Sequence, residues 1–190
     1  PVALGAAPRP WPERDVAAVA YAADPAKKGL DRILAAWALA RREGEELVVC
    51  GAPRGALARA PAGVRDAGML DRAAFEQLLR RSRTLICAPR REDHGLVQLE
   101  ALAAGCRVVT TTAPGAYVAL TLLRAIDPAL VVDRPDDAPA LAAAVRAALD
   151  APRAGGADDA RRARGLLAAR FGPDAVDRVV RDELLPALLG

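Results

Sequence analysis

Apolar residues recur along this chain in two rhythms that alternate. Short runs at 16–22, 47–50, 84–88 and 130–132, and 106–110 with Arg107 as its one charge, have the length and apolar content of strands buried on both faces, and 64–67 offers a shorter strand ending at Gly68. Between them lie stretches with apolar positions three and four apart. Leu30, Ile33, Leu34, Trp37 and Leu39 predict a helix up to Arg42, and Asp71 can cap a helix through Arg80. Further helices are expected over 95–105, from beyond Pro114-Gly115 to about Ala125, and over 136–149. Two more are expected at the end of the chain, over 158–171 and 173–188, after a loop at 151–157 that holds a proline and two glycines. The segment 54–63 carries only a weak pattern, compatible with a short helix.

Strands that alternate with helices predict an α/β fold, an open parallel sheet of about six strands with helices on both faces. We read residues 16–190 as one domain and residues 1–15, rich in proline, as an irregular lead-in from an interdomain region. Open parallel sheets bind ligands beyond the C-terminal ends of their strands. The segments 24–29, 51–55, 68–69, 90–95 and 111–115 would gather there.

Composition narrows the picture. Hydrophobic residues make up 53% of the chain but aromatics only 3%, so the core is expected to consist of Ala, Leu and Val packed closely between helix and sheet. The formal charge of +3 comes from 27 basic and 24 acidic residues with no basic block interleaved with aromatics, which argues against a nucleic-acid partner. Apolar runs are broken well before the ~20 residues of a membrane span, and no signal-peptide pattern opens the chain. A cytoplasmic protein is the expectation. Cys50, Cys87 and Cys106 each border an apolar run without metal-type spacing, and are expected as buried thiols.

The densest chemistry lies between Thr84 and Gly105, a strand, a loop and a helix. Glu92 falls in the loop, and Glu100 stands one helical turn beyond Leu96, with its Cβ leaning toward the helix N-terminus. Leu96, Val97, Leu99, Leu102 and Ala103 make most sides of this helix apolar, so a carboxylate among them needs donors, and ligand hydroxyls would serve. The amides of Gly95, Leu96 and Val97 would offer the positive charge that phosphates find at helix N-termini. Near the first strand, Lys27 and Lys28, the only lysines, precede Gly29 at an expected helix start. Cations are unfavourable there, so we read Lys28 as a diphosphate ligand and Lys27 as solvated. His94, the only histidine, is open between a contact to sugar or phosphate and a bystander.

The run Glu92-Asp93-His94-Gly95-Leu96-Val97-Gln98-Leu99-Glu100, continued by Ala101-Leu102-Ala103-Ala104-Gly105, resembles the signature of the group 1 glycosyltransferases of the GT-B fold, two glutamates separated by seven residues. Asp93 and His94 stand where that family has Gly and Phe, and Arg107 where it has Pro. The resemblance implies a three-layer Rossmann-like domain, the C-terminal half of a GT-B fold. Its ligand would be a nucleoside-diphospho-sugar donor, with no cofactor and no metal. It implies that Glu100 binds the ribose hydroxyls, Glu92 faces the transferred sugar, Lys28 grips the diphosphate, and the turn at Gly68-Met69 lies against the base. The anomeric configuration would be retained. Lys28 matches the lysine of the family's Arg, four residues, Lys-Gly clamp, whereas Ala23 occupies the place of the arginine.

The resemblance further implies an N-terminal acceptor-binding domain that this chain lacks, any membrane association coming through that domain. Donor binding without transfer is therefore expected of the chain alone. Ala23 and the altered loop also fit a nucleotide-sugar-binding module without catalysis, and a GT-B nucleotide-sugar epimerase would have much the same donor half.

Overall fold

In a computed structural model describing residues 8–151 and 156–189, six strands form one parallel sheet in the order β3-β2-β1-β4-β5-β6. They are β1 (Val16–Tyr21), β2 (Leu47–Cys50), β3 (Val64–Gly68), β4 (Ser82–Ile86), β5 (Arg107–Thr111) and β6 (Val131–Val132). The helices are α1 (Pro25–Lys28), α2 (Leu30–Ala40), α3 (Arg72–Arg81), α4 (Leu96–Ala103), α5 (Val118–Ile126), α6 (Ala138–Asp150), α7 (Gly156–Phe171), α8 (Pro173–Val179) and α9 (Leu185–Leu189). This is the expected α/β architecture.

Side chains of the central strands alternate between two apolar clusters, as the period of two in a strand demands. Leu47, Val49, Ile86 and Val109 face one layer with α2 and α6, where Ile33, Trp37, Leu141 and Val145 pack. Val48, Cys50, Leu85 and Val108 face the other, formed by α3, α4, α5 and α7. Ala, Leu and Val dominate both, in line with the composition. The three thiols are buried and free, and burial pushes those of Cys50 and Cys87 up to about 12 and that of Cys106 up to about 11.

Several boundaries differ from expectation. Glycine 29 adopts φ 65° and splits the expected 30–42 helix region from a preceding turn of helix, α1, and the chain turns extended at Arg41 rather than Arg42. Segment 54–63 is a series of turns, because Gly55 and Gly63 both take positive φ and the flanking prolines leave no room for a helix. β4 starts two residues early, directly after α3. Cys87 still donates to the Val109 carbonyl at 2.9 Å, but Ala88 has left the strand. Leu130 ends a 3-10 turn (Pro128–Leu130), capped by the side chain of Asp127, so β6 is two residues long. Of the expected 151–157 loop, residues 152–155 lie outside the described residues, and α7 begins at Gly156. The final helix is interrupted by a π-helical turn (Val180–Leu184).

Within the lead-in, residues 1–7 lie outside the described residues, but the remainder is not irregular. Trp11–Glu13 form a 3-10 turn with Trp11 buried, and the Arg107 guanidinium lies 4.8 Å above the Trp11 ring. Arg14 is buried and donates to the carbonyls of Arg9, Ser82 and Ala104. The guanidinium thus ties this segment to the ends of α3 and α4.

Candidate functional site

The strand order reverses at β1 and β4. The chain leaves β1 toward β2 and β3, then returns to the far side of β1 and proceeds outward to β6. Loops leaving the C-terminal ends of two such neighbours diverge and open a crevice, the usual ligand site of doubly wound sheets. The segments that follow β1 and β4 carry Lys28 and Glu92.

After β1, the Asp24 side chain accepts from the Lys27 amide at 2.9 Å and Pro25 takes the first helical position, which starts α1 at once. Gly29 ends it. A Cβ at Gly29 would stand 1.9 Å from the Ala88 carbonyl oxygen, so only glycine lets the α1–α2 junction rest on the loop after β4. Lys28 is consequently the last residue of α1 rather than the start of a helix. A cation is favoured at a helix C-terminus, so the helix dipole does not set Lys28 apart as the expected helix start implied. Contact takes its place: Lys28 Nζ donates to Glu92 Oε2 at 2.8 Å. Lys27 is exposed, as expected.

Glu92 is buried, 7% exposed, and is not the loop acid beside Arg90 and Arg91 that a bare reading of its neighbours would suggest. Arg90 instead grips Asp31 with both guanidinium nitrogens, at 2.8 and 2.7 Å, and Arg91 pairs with Asp93. The second carboxylate oxygen of Glu92 accepts from the Gly95 amide at 3.1 Å. Burial would push this carboxyl up. The hydrogen bond and charge of Lys28, with the Gly95 and His94 amides, outweigh it and hold Glu92 below the usual glutamate value. The Gly95 amide, expected to be free for a phosphate, is instead engaged by Glu92. Leu96 and Val97, in the first turn of α4, carry amides that helix geometry leaves without an intrahelical acceptor.

The 92–94 loop lies along the start of α5. Glu92 donates its amide to Pro114, and the carbonyls of Glu92, Asp93 and His94 accept in turn from the amides of Tyr117, Val118 and Ala119, at 3.2, 3.2 and 3.0 Å. Gly95 has φ 83°, and a Cβ there would meet Ala119 Cβ at 2.7 Å and Tyr117 Cε2 at 3.1 Å. His94 is exposed and meets the Phe171 ring edge-on, with centroids 6.3 Å apart.

Beside this pair, a cleft of about 300 Å³ opens between α4 and the turn after β3. Leu96, Val97 and Glu100 form one wall, and Gly51, Met69 and Arg72 lie opposite. Met69 is 75% exposed on the rim. Glu100 projects into the cleft as its spacing from Leu96 predicts, and Arg72 Nη1 approaches its Oε1 at 3.4 Å. A smaller recess holds Lys28, Glu92 and Cys87, and shares Tyr21 and Val97 with the cleft. The expected site residues Lys28, Met69, Glu92, Leu96, Val97 and Glu100 thus line these two adjoining spaces, whereas Gly95 is buried behind them and His94 lines neither. Gly55 lies away from both, exposed.

Arg72, Tyr21, Gln98 and Tyr117 escaped the sequence reading. Arg72 directly follows the cap Asp71 and the Met69 turn, which was a usable signal. The tyrosines carried none, because aromatic residues at strand and loop ends read as core. Among the described residues, no cluster of three or more His, Cys, Asp or Glu could hold a metal, and no helix is long and apolar enough to cross a membrane.

Residues 13–151 match the family described as Glycosyl transferases group 1. The chain belongs to that family. No curated protein matches it. Among solved structures, it is similar to WaaG, a glycosyltransferase involved in lipopolysaccharide biosynthesis, with 25% identity and TM-score 0.65 over 78% of this chain and 42% of WaaG. Sucrose-phosphate synthase from Thermosynechococcus elongatus aligns with 22% identity and TM-score 0.72 over 92% of this chain and 46% of its own. TarM from S. aureus aligns over 100% of this chain and 38% of its own, with 13% identity and TM-score 0.79. This group 1 domain therefore spans less than half the length of each, and shares the Rossmann-like sheet of their GT-B fold.

Proposed function

We propose that this group 1 domain binds the donor of a glycosyl transfer, a nucleoside-diphospho-sugar, in the crevice between β1 and β4. One observation carries the reading: Lys28, Glu92, the first turn of α4 and Glu100 line two adjoining spaces at the reversal of strand order. In this reading the base lies against Met69 and Gly51, and Glu100 accepts from the ribose hydroxyls. The diphosphate meets Lys28 and the amides of Leu96 and Val97, and the sugar sits against Glu92 and His94. Lys28 and Glu92 are the residues nearest the reacting bond. Lys28 neutralises charge that develops on the departing diphosphate, a fixed cation in place of a metal, and Glu92 holds that lysine in position. Transfer retains the anomeric configuration and requires an acceptor-binding domain beyond this one, consistent with the chain covering less than half of each similar structure.

A second reading, a donor-binding module without turnover, draws support from Ala23, which is exposed where an arginine would complete the diphosphate clamp, and from Glu92, which already balances the charge of Lys28.

Calorimetric titration with UDP, GDP and ADP tests the donor site. UDP comes first because TarM was solved with UDP bound. Selective binding of one nucleotide, weakened by Lys28→Ala and by Glu100→Ala, is expected. A folded protein that binds none of the three, alone or within its full-length parent, would sink the proposal. Sugar transfer by the parent separates the enzyme from the non-catalytic module.

A further inference from the structure

Tyr117 sits at the N-terminal boundary of α5 with φ 34° and ψ 60°, the only non-glycine residue among those described with a positive φ. A tyrosine has no intrinsic reason to adopt this conformation, and such strain persists only where the surroundings impose it. The surroundings here are the candidate site. The Tyr117 amide donates to the Glu92 carbonyl at 3.2 Å, and its ring edge packs against Gly95. Its buried hydroxyl accepts from Gln98 Nε2 at 3.1 Å and lies 2.6 Å from Thr110 Oγ1.

Thr110 Oγ1 donates to the Thr111 carbonyl at 3.3 Å, so the proton between the two hydroxyls belongs to Tyr117. The chain then runs in one sense, from Gln98 through Tyr117 and Thr110 to the backbone of β5. Each hydroxyl donates once and accepts once. Gln98 is in the first turn of α4 and is 2% exposed. One residue therefore touches, with its amide, the loop that carries Glu92 and, with its side chain, the glycine that starts α4 and the first turn of α4, and anchors them to the sheet.

We infer that Tyr117 is a positioning residue of the donor site, which through its amide on Glu92 and its hydroxyl on Gln98 sets the spacing between the Lys28–Glu92 pair and the first turn of α4. The inference rests on the donor-binding reading and deepens it. Lys28, Glu92 and the α4 amides take the diphosphate in that reading, whereas Met69 and Glu100 take the nucleoside. Tyr117 touches only the former group.

Tyr117→Phe keeps the ring and removes the hydroxyl. With UDP as probe, or whichever of GDP and ADP the wild type binds, the variant is expected to bind the diphosphate about tenfold more weakly, the scale of one buried polar group left unpaired. The corresponding nucleoside should bind within about twofold of wild type, measured by the same titration. Adding Gln98→Leu removes the orphaned amide, so stability should recover while diphosphate affinity stays low. Equal loss of diphosphate and nucleoside binding, or unchanged diphosphate binding by a folded variant, would overturn the inference. If the wild type binds no nucleotide, the donor-site reading fails on its own. The positioning is then read from the backbone amide resonances of Gly95 and Val97 in the ligand-free protein, which shift in Tyr117→Phe if Tyr117 sets this geometry and stay in place if it does not.

Discussion

Lys28 Nζ lies 2.8 Å from Glu92 Oε2, across 64 residues of chain and the central pair of strands. The lysine side chain is 24% exposed and the glutamate 10%, so the pair is partly withdrawn from water and stronger than a surface ion pair. A double-mutant cycle with Lys28→Met and Glu92→Gln measures it. Lys28→Met leaves Glu92 with only the backbone amides of Gly95 and His94 to offset its charge, and is expected to destabilise the fold by about 1–3 kcal/mol. The double variant should cost less than the sum of the singles, with a coupling of about 1–2 kcal/mol in urea unfolding. Additive effects would show that the contact is not formed in solution.

The same pair gives the fold an acid sensitivity. Glu92 is held below its ordinary value of 4.5, so the folded state releases its proton more readily than the unfolded chain. Its stabilisation is fully present above about pH 4.5 and is lost as pH falls through the lower folded value. Asp15, Asp31 and Glu45 are likewise depressed, which makes the difference between wild type and Glu92→Gln the informative quantity. The stability gap between them should be constant at neutral pH and close below about pH 4. Carboxyl carbon resonances of Glu92 followed through the titration check the assignment directly.

Gly95→Ala should be among the more damaging small substitutions. The new Cβ would meet Ala119 Cβ at 2.7 Å at a φ of 83°, combining left-handed strain with overpacking. We expect a loss of about 2–4 kcal/mol by chemical denaturation with an unchanged denaturant slope. A change under about 0.5 kcal/mol would mean that α4 can start elsewhere.

Arg14→Met tests whether the segment before β1 belongs to the domain. The buried guanidinium satisfies the Ser82 and Ala104 carbonyls at 2.6 and 2.7 Å, and methionine leaves both without it. A loss of about 2–4 kcal/mol in thermal unfolding is expected. Arg14→Lys should recover only part of it, because an ammonium cannot span both carbonyls as the planar fork does.

Arg72→Ala should change stability by less than about 1 kcal/mol, since the arginine is exposed and its contact to Glu100 is long at 3.4 Å. Its effect belongs in nucleotide affinity, because removing the cation leaves Glu100 free for other donors in the cleft. Calorimetric titration of Arg72→Ala beside wild type reads that difference.

Much of the architecture was legible before any coordinates. Runs such as Leu47–Cys50 have one physical solution, a strand buried on both faces, and the periodic positions Ile33 and Trp37 have another, a helix face against that sheet. The Glu92 to Glu100 spacing, together with Gly95, placed a helix start and the inward carboxylate Glu100 from local geometry alone. Local rules failed where a partner distant in sequence decided. Nothing near Lys28 in the chain announces Glu92, and the arginines adjacent to the acid, Arg90 and Arg91, pair with Asp31 and Asp93 instead. Tyr117 and Arg14 were invisible for the same reason: their meaning lies in acceptors brought to them by the sheet. The sequence by itself determined the strands, the helices and the edge of the sheet where ligands gather, since these follow from short-range periodicity and burial. Which charges meet across that edge, which amides remain available, and which residue bears backbone strain were decided only by the tertiary structure, because hydrogen bonds and ion pairs act over a few ångströms in space, whatever the separation along the chain.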